Sequence, residues 1–148
     1  MAHKYYNIFL SLTIAFLLLS SACTSQETKE TKNQINLAAR ETLPAEVRNA
    51  AYSVSEAYRF AAANPEILTQ IPCYCGCGSM DHTSNYDCYI LQINSVGLIT
   101  YDLHALGCSI CVDITQDTMR LLEQGKSLSE IRAYIDSTYS QFGPSNLP

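Results

Sequence analysis

Eight side chains able to bind soft metals or exchange electrons crowd between positions 73 and 111. Cys73, Cys75 and Cys77 alternate along Pro72-Cys73-Tyr74-Cys75-Gly76-Cys77-Gly78, Cys88 follows, and Cys108 and Cys111 stand three apart. His82 and His104 fall among them. Elsewhere the chain has only Cys23 and His3 of these two residue types. Thiolates select Cu(I), zinc or iron–sulfur clusters, and imidazole suits copper and zinc. A cysteine at every second position can curl several sulfurs around one ion if the backbone bends, and Gly76 and Gly78 supply that freedom. A Cys-x-x-Cys at a helix start adds two more sulfurs, beside exposed amide groups that favour thiolate. The expected ligands are therefore Cys73, Cys75, Cys77, Cys88, Cys108, Cys111, His82 and His104, with copper or zinc as the ion. An iron–sulfur cluster suits an exported chain poorly.

Two other chemistries use the same residues. Six cysteines are an even number, and an oxidising compartment would allow three disulfides. Cysteines two apart do not readily bond each other, so Cys73, Cys75 and Cys77 would each need a partner among Cys88, Cys108 and Cys111. Alternatively, Cys108-x-x-Cys111 before a helix has the spacing of thiol–disulfide exchange proteins, which would require an acidic thiol at one of the two. The strand and βαβ pattern of a thioredoxin fold are missing. The stretch from Asp117 through Gly125-Lys126-Ser127 to Tyr139 is also similar to the thiol subunit of the cytochrome c maturation system. For His104 a surface position at a hairpin end competes with ligation, and His82 sits in a polar loop. Asp81, Asp87 and Asp113 are expected to cap turns and helices. Tyr74, Tyr86, Tyr89 and Tyr101 are expected to pack around the loop with their hydroxyls in water. No Ser–His–Asp order, phosphate loop or carboxylate pair stands out, so binding is favoured over catalysis.

The elements that must position these residues follow from periodicity. Pro44 opens a helix whose Val47, Ala51, Val54, Tyr58 and Ala61 form one stripe, and Asn64-Pro65 ends it. A short helical turn through Ile67, Leu68 and Ile71 follows. Residues 72–86, with glycines, a proline and small polar side chains, read as a loop. Residues 87–93 and 98–103 read as two strands around Asn94-Ser95-Val96-Gly97. A helix from Cys108 carries Val112, Met119, Leu121 and Leu122 and stops near Gly125. Ser127-Leu128-Ser129-Glu130 is a capping box opening a second helix, with Leu128, Ile131, Ile135 and Tyr139 on one side. The short join predicts an antiparallel helix pair, and Gly143-Pro144 ends it. The fold class is a small α+β single domain: about three helices, a β-hairpin and a cysteine-rich loop.

Ahead of that domain, residues 1–22 form a leader with His3 and Lys4 at its start. An apolar run from Ile8 to Leu19 follows, and small residues precede Cys23. A bilayer-spanning helix needs roughly 20 apolar residues, more than this run supplies. The ending Ser20-Ser21-Ala22-Cys23 resembles a bacterial lipobox, which implies cleavage before Cys23 and lipidation of its thiol. Residues 23–43 begin with a run of Ser, Thr, Gln, Glu, Lys and Asn and are expected to form a disordered tether, leaving 44–148 as the domain. Net charge is −5, and −6 once Lys4 leaves with the leader. That balance and the lack of a basic patch exclude nucleic acid as an expected partner.

The segment Pro72–Gly78 resembles the family of bacterial lipoproteins named for the PCYCGC motif. Ser84-Asn85-Tyr86-Asp87-Cys88, His104 through Asp113 and Gly125 through Ile131 fit it too, so the resemblance covers about residues 65–140. It implies a cysteine-rich domain carried outside the cell on a lipid anchor, and brings no biochemical role with it. The combined expectation is a membrane-tethered, extracytoplasmic metal-binding lipoprotein that exchanges Cu(I) or zinc with a donor or acceptor protein. Thiol–disulfide exchange and a disulfide-stapled binding domain remain the alternatives.

Overall fold

The computed structural model describes residues 35–147. The leader, Cys23 and the first part of the expected tether lie outside the described residues. Residues 35–43, also assigned to the tether from composition, instead lie against the domain. Ile35 and Leu37 pack on the core and Leu43 is buried within it. The Ala38 amide donates to the Arg59 carbonyl (3.1 Å), and Arg59 Nε donates back to the Ala38 carbonyl (2.7 Å). Three aliphatic side chains outweigh the polar composition around them.

The helix expected over residues 44–64 is two. Helix α1 (Ala45–Arg48) ends at Asn49, and α2 (Tyr52–Ala63) restarts after Ala51, whose backbone is extended. Asparagine competes for backbone groups and weakens a helix interior. Ala51, placed in the apolar stripe by its spacing, is exposed; the face that α2 buries is Ser55, Ala57, Tyr58, Phe60 and Ala61. Asn64 then leaves helical geometry and α3 (Pro65–Leu68) begins with proline in its first turn.

The hairpin is shorter than its periodicity suggests. Strands β1 (Ile90–Ile93) and β2 (Ile99–Tyr101) pair antiparallel, Ile90 with Tyr101 and Ile93 with Ile99, with an irregularity between Ile90 and Gln92. Asn94 Oδ1 accepts from the amides of Val96 (3.1 Å) and Leu98 (2.8 Å), closing the turn. Gly97 takes the positive φ (83°) that the turn requires.

Helices α4 (Ser109–Glu123) and α5 (Leu128–Tyr139) form the expected pair. Between them Lys126 N–H donates to Leu121 O (3.0 Å) and Gly125 N–H to Leu122 O (2.9 Å), the two bonds of a Schellman ending, with Gly125 left-handed at φ 75°. The Ser127–Glu130 capping box is formed. Its exposed Glu130 carboxyl is held down to about 2 by the Ser127 backbone and hydroxyl and by Lys126. Tyr139, at the far end of α5, donates to Asp117 Oδ2 in the middle of α4 (2.8 Å), which gives the pair its antiparallel sense. Helix α4 lies between α2 and α5. Among the described residues no helix is long and apolar enough to cross a membrane.

The candidate metal centre

The cysteines are part of the hydrophobic core itself. Cys73, Cys77, Cys88 and Cys111 are buried in the same cluster as Phe60, Leu68 and Ile114, while Cys75 and Cys108 are half-buried. Three local devices supply them. The loop after α3 carries Cys73, Cys75 and Cys77, and it turns at Gly76 through a left-handed φ of 86° into a 3-10 turn, Cys77–Met80. A second 3-10 turn, Tyr86–Cys88, delivers Cys88 ahead of β1. Its approach is held by Asp87 Oδ2, which accepts from the Thr83 amide (2.7 Å), the Thr83 hydroxyl (3.0 Å) and the Ser84 hydroxyl (3.2 Å). Asp87 therefore braces a turn, as its type suggests. Cys108 caps α4 and Cys111 lies in its first turn.

Together these devices put all six sulfurs in one body. Sγ–Sγ separations are 3.4 Å for Cys73–Cys75, 3.6 Å for Cys73–Cys111, 3.6 Å for Cys75–Cys111, 3.1 Å for Cys108–Cys111 and 3.7 Å for Cys77–Cys88. His104 Nε2 is 3.5 Å from Cys75 Sγ. All six cysteines are free thiols, so the disulfide pairing is not formed here. Three groups of donors have their ligand atoms within 4.8 Å of one another: Cys73, Cys75, Cys77 and Cys88; Cys75, His104, Cys108 and Cys111; and Cys77, His82, Cys88 and His104. A tetrahedral ion with metal–sulfur bonds of about 2.3 Å has sulfurs about 3.8 Å apart, and an imidazole nitrogen about 3.5 Å from a sulfur. The other spacings match these edges to within about 0.4 Å, while Cys108–Cys111 at 3.1 Å is shorter and would have to open to share an ion.

All eight ligand candidates read from sequence are thus brought together. The histidines are neither solvated nor at a free hairpin end. Their rings meet edge to face at 5.3 Å, and His82 is buried. His82 Nε2 lies 3.5 Å from Asp102 Oδ2, and His82 Nδ1 is buried without a hydrogen-bond partner. A hydrogen on Nε2 directed at the carboxylate leaves the Nδ1 lone pair free, the arrangement a metal-ligating histidine needs. The other Asp102 oxygen, Oδ1, accepts from the His104 amide (2.7 Å). One carboxylate therefore orients both histidines. Its position two residues before His104 was the only hint in sequence. A cavity of about 440 Å³ opens on this side, lined among others by Met80, Asp81, His82, Asp102 and His104.

The thiols differ sharply in acidity. Cys73 is held far below the ordinary thiol range by hydrogen bonds from neighbouring thiols, Cys111 foremost. Cys75 is brought down to about 5, chiefly by a thiol hydrogen bond from Cys88 and also by His104, against its burial. Cys77 and Cys111 are pushed up, each mainly through its hydrogen bond with Cys73, and Cys88 through its bond with Cys111. Burial raises Cys108.

Two supports of the site carry no sequence signal. The tyrosine hydroxyls expected in water are largely inside. Tyr89 is fully buried, and its hydroxyl meets the Cys111 carbonyl (2.8 Å) and Thr115 Oγ1 (2.7 Å). Asn85 joins them, with Nδ2 donating to the Cys111 carbonyl (3.3 Å) and Oδ1 accepting from Thr115 (2.7 Å). Tyr74 donates to Asp136 on α5 (2.6 Å), and burial together with that bond pushes its hydroxyl up to about 12. Burying a hydroxyl without such a partner is costly, as at Tyr101, whose buried hydroxyl has none, and partners distant in sequence are invisible in it.

The second support is the C-terminal segment. Asn146 Oδ1 accepts from the Cys73 amide (2.7 Å) and the Asn146 amide donates to the Cys73 carbonyl (3.2 Å). Its Nδ2 faces the carbonyls of His82 and Ser84 (3.1 Å each) and Cys77 Sγ (3.4 Å). Gly143 admits this segment, since a Cβ there would lie 2.8 Å from the Tyr74 carbonyl oxygen. Asn146→Ala is expected to cost about 2–3 kcal/mol, the sum of several bonds at roughly 1 kcal/mol each, and to speed alkylation of Cys77. Melting and timed thiol labelling would check both; a change below about 0.5 kcal/mol with unaltered labelling would free the loop from this strap.

A family model described as a protein of unknown function with PCYCGC motif matches residues 11–146. Neither the curated proteins nor the solved structures yield a match.

Proposed function

Since the chain belongs to the PCYCGC-motif family, whose description assigns no activity, we propose a function from the cluster itself: it binds a soft metal ion, Cu(I) or zinc, through cysteine thiolates. One observation carries this reading. Six unpaired sulfurs and two imidazoles, drawn from four separate segments, converge into overlapping four-donor groups.

The leader, its lipobox-like ending and Cys23 support placing this domain on the outer face of a membrane, held by a lipid on that cysteine. There it would take up metal from, or pass it to, a donor or acceptor protein. The histidine side, open to the acidic cavity, is the natural route for the ion.

Protein purified without oxygen from its own membranes is expected to contain stoichiometric copper or zinc and six reduced thiols. Cys75→Ser and Cys108→Ser should each lower that metal content. Elemental analysis with thiol counting decides the matter. No metal with six oxidised cysteines would overturn the reading in favour of a stapled scaffold.

A further inference from the structure

We propose that the cluster holds two soft metal ions at once, bridged by the sulfur of Cys75; this rests on the metal-binding reading above. All three donor groups have four ligands, and two of them overlap at a single residue. One is Cys73, Cys75, Cys77 and Cys88, and the other is Cys75, His104, Cys108 and Cys111. They share Cys75 and nothing else. Its sulfur stands between them, 3.4 Å from Cys73 on one side and 3.6 Å from Cys111 and 3.5 Å from His104 on the other. A thiolate has lone pairs enough to bond two ions, and four-coordinate ions need four donors each. Seven ligands with one bridge satisfy that count.

Each thiol that is still protonated releases its proton to solvent as its metal–sulfur bond forms, with no change in oxidation state. The third group, Cys77, His82, Cys88 and His104, borrows every donor except His82 from these two sets. It is therefore an alternative position on the cavity side, not a third simultaneous one.

The full chain, reduced and freed of metal, would be titrated anaerobically with Co²⁺ and, separately, with Cu(I), counting bound ions by native mass spectrometry. Two Co²⁺ and at least two Cu(I) per chain are expected. The Co²⁺ electron paramagnetic resonance signal should grow with the first ion and fall as the second enters, because a shared sulfur couples the two spins. Cys108→Ser should hold one Co²⁺ with an undiminished signal, and Cys75→Ser should lose the coupling. Saturation at one ion overturns the two-ion cluster and leaves the metal-binding reading standing. Two ions with additive signals overturn the Cys75 bridge. Binding of neither ion overturns both.

Discussion

Asp102→Ala is expected to weaken binding of the soft metal by about 10- to 100-fold, the usual effect of removing a carboxylate that orients ligating histidines. No ligand is exchanged in this variant, which makes the effect diagnostic. The Asp102 backbone stays tied down, its amide donating to Tyr89 O (2.9 Å) and its carbonyl accepting from the Tyr58 hydroxyl (2.8 Å). What goes is the carboxylate beside His82 Nε2 and the acceptor for the His104 amide. His82 then loses the partner that fixes its ring, and the 3-10 turn His104–Leu106 loses the acceptor for its first amide. That hydrogen bond alone is worth about 1 kcal/mol of stability. Competition against a chromophoric chelator gives the affinity, and melting of the metal-free protein separates the stability cost. An affinity equal to that of the unmodified protein would remove both histidines from the site and leave a sulfur-only cluster.

Asn85→Ala should be strongly damaging although it replaces no candidate ligand. Asn85 is fully buried, and its side chain ties the Cys111 carbonyl to Thr115 while its amide donates to the Ile71 carbonyl (2.8 Å). Truncation deletes two buried hydrogen bonds and leaves a cavity beside Cys111. Each unsatisfied buried group costs about 1–3 kcal/mol, so a loss of about 3 kcal/mol is expected, or a fall in Tm on the order of 10 °C for a domain of this size. The damage should reach the metal site, because Asn85 sits in the segment leading to Cys88 and grips the turn carrying Cys111. Chemical denaturation of the metal-free protein measures the first effect, and chelator competition the second. A loss below about 1 kcal/mol would mean that the Tyr89–Thr115 pair holds Cys111 without help.

The limits of sequence legibility follow from how far each interaction reaches along the chain. Helices α4 and α5, their glycine-terminated join and the Ser127–Glu130 box were readable because every residue involved lies within a few positions of its partner. The Asn49 break was not, since the apolar spacing runs straight through it. The strands were placed but overextended, their ends being set by the irregularity at Ile90–Gln92 and by the 3-10 turn at Tyr86–Cys88. The tether was overdrawn for a related reason: composition averages over Ile35, Leu37 and Leu43, whereas burial acts on each separately.

For the candidate site the division is sharper. Residue type and local spacing by themselves named all eight candidate donors, because sulfur and imidazole are chemically distinctive and rare in this chain. Which donors belong together, that Cys75 is common to two sets, and that Asp102, Asn85, Tyr89 and Asn146 hold them in place were decided only by the tertiary structure. Those relations join segments from residue 73 to residue 146. They depend on packing α2, α4 and α5 around a loop that has no regular structure to announce its own shape.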